Sequence, residues 1–211
     1  MNTKIKTSGK GRIAKSNAGT ALDMSDLPIV SVTNDCDALR ARIFGAIDAN
    51  ISALQLDPKG AHCATQWERL RGTVSPQFAG NVIALRDAGT LTQGAIDGAV
   101  LTLRDGGKSA PIYGAQKMLD TLAMLASKNR GHVSKLHAAY LTVIVERSQV
   151  DNAGMCRAIE DRATCAPSTS STQRSSSAYA LRALGIISET REGATLIDSA
   201  ATDVLREVFS L

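Results

Sequence analysis

The residues of this chain best suited to chemistry are its four cysteines, three histidines and one glycine-lysine-serine run, and their spacing argues against most of that chemistry. Cys36, Cys63, Cys156 and Cys165 form no C-x-x-C pair, and no histidine stands at finger spacing from any of them. His62 adjoins Cys63, while His132 and His137 are five residues apart, which places them on different faces of a helix instead of stacking them as i, i+4 ligands. Free or buried thiols are expected, and no metal site. Gly106-Gly107-Lys108-Ser109 matches the end of a phosphate-binding G-x-x-x-x-G-K-S loop, but the first glycine of that motif would fall on Thr102, and a helical pattern precedes it where a strand is needed. A polar helix terminus accounts for these residues better. The serines between 168 and 177 have no histidine near them in sequence, so a catalytic triad would have to draw on His62, His132 or His137 from a distance. The carboxylate pairs Asp35 with Asp37 and Glu160 with Asp161 stand where helix caps or solvated faces need them. The chain is not expected to be an enzyme, and no cofactor is expected.

Composition narrows the classes further. With 211 residues, 44% hydrophobic and 21% charged, the chain is long enough to bury a sizeable core and has the make-up of a globular protein. No stretch approaches the roughly 20 uninterrupted apolar residues of a membrane helix, and residues 1–23 lack the apolar core of a secretory signal. A cytoplasmic location with no membrane partner is the expectation. Three Phe, three Tyr and one Trp leave little material for base-stacking platforms. The net charge of +4 is unevenly spread: Lys4, Lys6, Lys10, Arg12 and Lys15 oppose only Asp23 in residues 1–23, and residues 128–191 hold 9 basic against 5 acidic side chains. Segregated positive charge is what a polyanion-binding surface needs, because Lys and Arg that neutralise phosphates release condensed counterions.

The elements that would position these groups are mainly helical. Residues 1–25, rich in Lys, Ser, Thr, Gly and Asn, are expected to be a disordered basic tail. Asn34 or Asp35 can cap a helix in which Leu39, Ile43, Ile47, Ile51 and Leu54 recur at helical intervals. A short amphipathic piece around Trp67 and Leu70 follows. Ser75-Pro76 opens the next helix, stopped by Gly89, and further helices are expected over 90–103 and 111–125. These helices, residues 26–130, are expected to form a helical region without a ligand constellation of its own. From 131 to 211 the pattern predicts a helix over 133–149, a short helix capped by Asp151 or Asn152, a polar loop over 163–172, a helix over 172–184 with Ala178, Leu181 and Leu184 inward, a hairpin around 185–197, and a last helix capped by Asp198 or Ser199.

The helix-to-hairpin join Leu181-Arg182-Ala183-Leu184-Gly185-Ile186-Ile187, within residues 133–211, resembles the winged-helix branch of the helix-turn-helix DNA-binding proteins. The resemblance implies a mainly α fold: a helical amino-terminal region followed by a winged-helix-like module with one small β-hairpin. The long Ser/Thr-rich connection expected between the second and third helices departs from the tight turn of that family. If the resemblance holds, Gln173, Arg174, Ser176 and Ser177 occupy the first turns of the recognition helix and meet base edges, with Arg174 suited to a bidentate pair with guanine. Arg182, two turns on, and Lys135, at the start of the module, would touch phosphate, and Arg191 at the hairpin tip would be the wing contact. The partner implied is double-stranded DNA, read by a homodimer because single modules usually need a second half-site, in a regulatory or accessory role. The competing expectation is a helical protein-interaction module, an adaptor or inhibitor, in which Ser175 to Ser177 are a solvated face and Arg191 an ordinary loop charge.

Overall fold

A computed structural model describes residues 29–57, 60–106 and 112–210; the expected tail over 1–25 and the residues Gly107, Lys108 and Ser109 lie outside them. The protein is mainly helical with a small three-stranded antiparallel sheet toward the carboxy terminus. Among the described residues no helix is long and apolar enough to cross a membrane.

Helix α1 (Ile29–Gln55) lies against α2 (Ala61–Thr73), α3 (Pro76–Asp87) and α4 (Gln93–Asp105). Its apolar stripe sets that packing: Leu39, Ile43, Ile47 and Leu54 are buried, with Ala46 filling the close approach. The caps are local and readable. Ser75 Oγ accepts from the Phe78 amide at 3.0 Å ahead of Pro76, and Thr92 Oγ1 accepts from the Ala95 amide at 3.1 Å. A buried long-range polar contact enters this apolar bundle where the Asn50 side-chain amide donates to the Leu103 carbonyl at 2.6 Å.

Helix α5 (Ile112–Ser127) is buried along most of its length and faces both halves, packing on α3 on one side and on α8 on the other. The core therefore runs unbroken across residue 130, from Leu39 to Phe209. After a single 3-10 turn (Arg130–His132) come α6 (Lys135–Arg147), β1 (Gln149–Asp151), α7 (Asn152–Ala163), α8 (Pro167–Ala183), β2 (Ile187–Glu189), β3 (Gly193–Leu196) and α9 (Ala200–Phe209). Strand β3 sits in the middle of the sheet, pairing antiparallel with β1 through Val150 opposite Ala194 and with β2 through Ser188 opposite Thr195. Gly193 is required there, since a Cβ would meet the Val150 carbonyl oxygen at 2.2 Å. Gly185, at φ +68°, takes the left-handed conformation that ends α8 and turns the chain into β2.

Several boundaries differ from the sequence reading. Helix α1 begins at Ile29, so Asn34 and Asp35, expected to cap it, lie inside it, because the helical backbone already runs through them. The helix expected over 133–149 stops at Arg147, because Ser148 adopts φ 58° and frees Gln149 to Asp151 to pair with β3. The polar loop expected over 163–172 is helix from Pro167 onward, leaving only Thr164 to Ala166 as the connection. Pro167 supplies a preset φ at the first helical position, and the hydroxyls that suggested a loop bond inside the helix: Thr172 donates to the Ser168 carbonyl and Ser175 to the Ser171 carbonyl, both at 3.1 Å. Ser170 is buried and donates to Glu160 Oε1 of α7 at 2.6 Å, which tacks the first turn of α8 onto its neighbour. The connection between these two helices is thus tight.

Candidate nucleic-acid interface

Because α8 begins five residues earlier than expected, every residue placed in its first turns moves to its middle, and helical phase then sorts them. Ser176 and Ser177 face inward and are buried at 2% and 0% exposure. They cannot reach a base edge, which corrects the expectation for both. Gln173 is half-buried, and its side-chain carbonyl accepts from Lys117 of α5. The outward row is instead Ser168, Ser171, Thr172, Ser175 and Arg182, all exposed.

The inward row joins a buried polar network between α5, α6 and α8. Lys117 Nζ donates to Ser176 Oγ at 2.9 Å as well as to Gln173. Thr121 Oγ1 donates to the Lys117 carbonyl at 2.7 Å, so it accepts from His137 Nε2 at 2.8 Å. His137 Nδ1 is then the unprotonated nitrogen, and Ser177 donates to it at 3.0 Å. Burial pushes the His137 imidazole down to about 3, helped by the Lys117 charge, and pushes the Lys117 ammonium down to about 8 against the pull of Asp120. Tertiary structure does bring a serine and a histidine together, but His137 and Ser177 are fully buried and the nitrogen opposite the serine bonds Thr121 where a triad has a carboxylate. No buried side-chain polar atom among the described residues lacks a partner, which fits a network that fixes the register of three helices.

On the outer side Arg174 leans from α8 toward the hairpin. It donates to Asn152 Oδ1 at 2.6 Å and lies 3.4 Å from Glu189 Oε1, while Arg182 lies 3.3 Å from Glu189 Oε2. Asn152 Nδ2 in turn donates to the Arg191 carbonyl at 2.9 Å, so one side chain links Arg174 to the hairpin tip, where the Arg191 side chain is exposed. Beside these residues an open groove of about 450 Å³ is lined by Tyr113, Ser171, Thr172, Ser175, Tyr179, Arg182 and Glu189 among others. Arg174, Arg182 and Arg191 are therefore brought to one surface. Lys135 is exposed at the first position of α6, the helix packed behind α8, and is not drawn into it.

Asn152, Glu189 and Tyr113 belong to this surface and were invisible in the sequence, since their partners lie in other elements and no local spacing marks them. Charge over the module is balanced, with 8 basic and 9 acidic residues in 131–211. Among the described residues no group of His, Cys, Asp and Glu is arranged to hold a metal ion, and all four cysteines are free, Cys63 being exposed. Comparison with known proteins finds no matching family model, no matching curated protein and no matching solved structure.

Proposed function

We propose that the protein is a DNA-binding regulatory or accessory protein whose contact surface is the outer row of α8 with the β2–β3 hairpin, in a winged-helix-like module. What carries the reading is the outward row of α8, exposed and set beside a hairpin whose tip presents Arg191. A helix between such a hairpin and a packed core is the arrangement in which side chains reach base edges while the hairpin touches the backbone. The sheet order, with β3 between β1 and β2, and the tight connection into α8 support it as well. Ser171, Thr172 and Ser175 are the base-edge contacts of this reading, Arg182 and Arg191 the phosphate contacts, and the basic residues 4–15 add sequence-independent affinity. A second copy of the chain would supply the second half-site.

The test is a salt-titrated anisotropy assay on mixed-sequence duplex DNA. Arg182→Ala and Arg191→Ala should each weaken binding and lower the salt slope by about 1, and binding by a chain shortened by residues 1–25 should persist at reduced affinity. The balanced charge of residues 131–211 favours a second reading, docking of a protein partner on the same groove. Absence of duplex binding by the full chain at low salt would discard the first reading and leave the second.

A further inference from the structure

Glu189 bridges the two arginines of the outer face, and it bridges them loosely. Its two oxygens stand 3.4 Å from Arg174 and 3.3 Å from Arg182, whereas ion pairs elsewhere on the surface, Arg42 with Asp97 and Arg162 with Glu146, close to 2.6 Å. A charge-assisted N–H···O bond settles at about 2.7–2.9 Å when nothing prevents it. Here something does: Arg174 is held by Asn152 at 2.6 Å and, through a longer contact, by Ser175 at 3.3 Å, and Glu189 is fixed in β2 by its pairing with Ala194. The carboxylate spans two guanidiniums that converge from one helix, two turns apart, and it fits neither closely.

Arginines 174 and 182 are eight residues apart, about 80° in helical phase, and it is their side chains that converge, each reaching Glu189 of β2. The open groove lined by Arg182, Glu189 and Ser175 gives an incoming anion a path from solvent to Arg182 and to the carboxylate that Arg182 shares with Arg174. An anion larger than a carboxylate, with a third oxygen to share, could engage both guanidiniums at ordinary distance. Arg is suited to that geometry because its planar fork offers parallel donors to phosphate.

We infer that Arg174 and Arg182 form a phosphate-binding site whose resident occupant is the Glu189 carboxylate, displaced when a phosphate group docks. The inference rests on the nucleic-acid reading for the identity of the phosphate, a backbone diester, but the site itself is defined by the two arginines. Glu189 then sets the affinity threshold: phosphate must outcompete a carboxylate that is covalently tethered but poorly seated. The near balance of charge over the module is part of the same device, since removing this one carboxylate frees two cations on the contact face.

The experiment compares the full-length wild type with Glu189→Gln, Arg182→Ala and the double variant, using two probes at fixed ionic strength: a fluorescently labelled mixed-sequence duplex, and inorganic phosphate read by thermal shift. Glu189→Gln should tighten duplex binding about fivefold or more and steepen its salt slope by about 1, and Arg182→Ala in that background should abolish the gain. If Glu189→Gln is stabilised by inorganic phosphate but binds no duplex, the phosphate site stands and the nucleic-acid reading falls. If Glu189→Gln gains nothing with either probe, or keeps its gain after Arg182→Ala, the site is overturned whether or not the wild type binds DNA. Should Glu189→Gln fail to fold by circular dichroism, Glu189→Asp replaces it, because a shorter carboxylate cannot span both arginines. A smaller gain that is again lost with Arg182→Ala supports the site, and no gain overturns it.

Discussion

The two faces of α8 are built from nearly the same residue types and do opposite things. On the inner face Ser176 and Ser177, with Gln173, are consumed by Lys117 and His137, and no buried side-chain polar atom among the described residues lacks a partner. On the outer face Thr172 and Ser175 return their protons to carbonyls one turn back, and with Ser171 they stay exposed, Ser175 also taking a long contact from Arg174 at 3.3 Å. A hydroxyl in a run of serines carries no function of its own. The neighbour that helical phase gives it decides whether it locks a core or offers a contact.

The sharpest way to break this contrast is to remove the centre of the inner face. His137→Ala leaves a cavity and strips Thr121 and Ser177 of a partner, so it should cost about 3–5 kcal/mol in denaturant unfolding, whereas an equally buried residue outside any network would lose only the packing share. The same residue should shape acid stability. The folded imidazole titrates at about 3 against 6.5 for the unfolded chain, so between those values only the unfolded state binds the proton, and stability should fall as pH drops from 6.5 toward 3. In His137→Ala that one-proton slope should be gone.

Lys117 gives the alkaline counterpart with somewhat smaller effect. Its folded value of about 8 lies below the 10.5 of an ordinary lysine, so over that window the unfolded chain holds the extra proton and stability should rise with pH, by on the order of 3 kcal/mol in total. Thermal unfolding of Lys117→Met across pH 7.5 to 10.5 should lose that rise while the wild type keeps it. Ser177→Ala leaves the His137 Nδ1 without a donor and should cost about 1–2 kcal/mol. Ser175→Ala, next in sequence to the inner serines but outward, should change stability by less than about 0.5 kcal/mol while weakening duplex binding. Equal stability losses for Ser175→Ala and Ser177→Ala would erase the distinction between the faces.

Where side chains bond within their own turn, the sequence was a good guide. Ser75, Asp151 and Ser199 cap helices because each oxygen meets the amide three residues on, a relation written in local order; Asn34 and Asp35, expected as caps by the same rule, lie inside α1 instead. The apolar stripe of α1 and the Leu181–Leu184 anchor of α8 were legible for the same reason of periodicity. The start of α8 was not. Eight Ser or Thr residues between 168 and 177 resemble a loop by composition, and only the bond of Ser170 to Glu160 and the burial of Ser176 and Ser177 against α5 and α6 outweigh that preference. Strand β1 escaped notice because three residues have no period, and their pairing partner lies more than forty residues away.

The sequence by itself determined the mainly helical architecture, the order of helices and hairpin in the last third, and the absence of any regular metal or phosphate-loop motif, since each follows from periodicity, caps and fixed spacing. Only tertiary structure decided which face of α8 is open, that α5 is the shared wall between the two halves, and that Glu189 stands between Arg174 and Arg182. Those facts depend on how helices rotate about their axes when they pack. That rotation is set by the sum of many buried contacts, none of which is local in sequence.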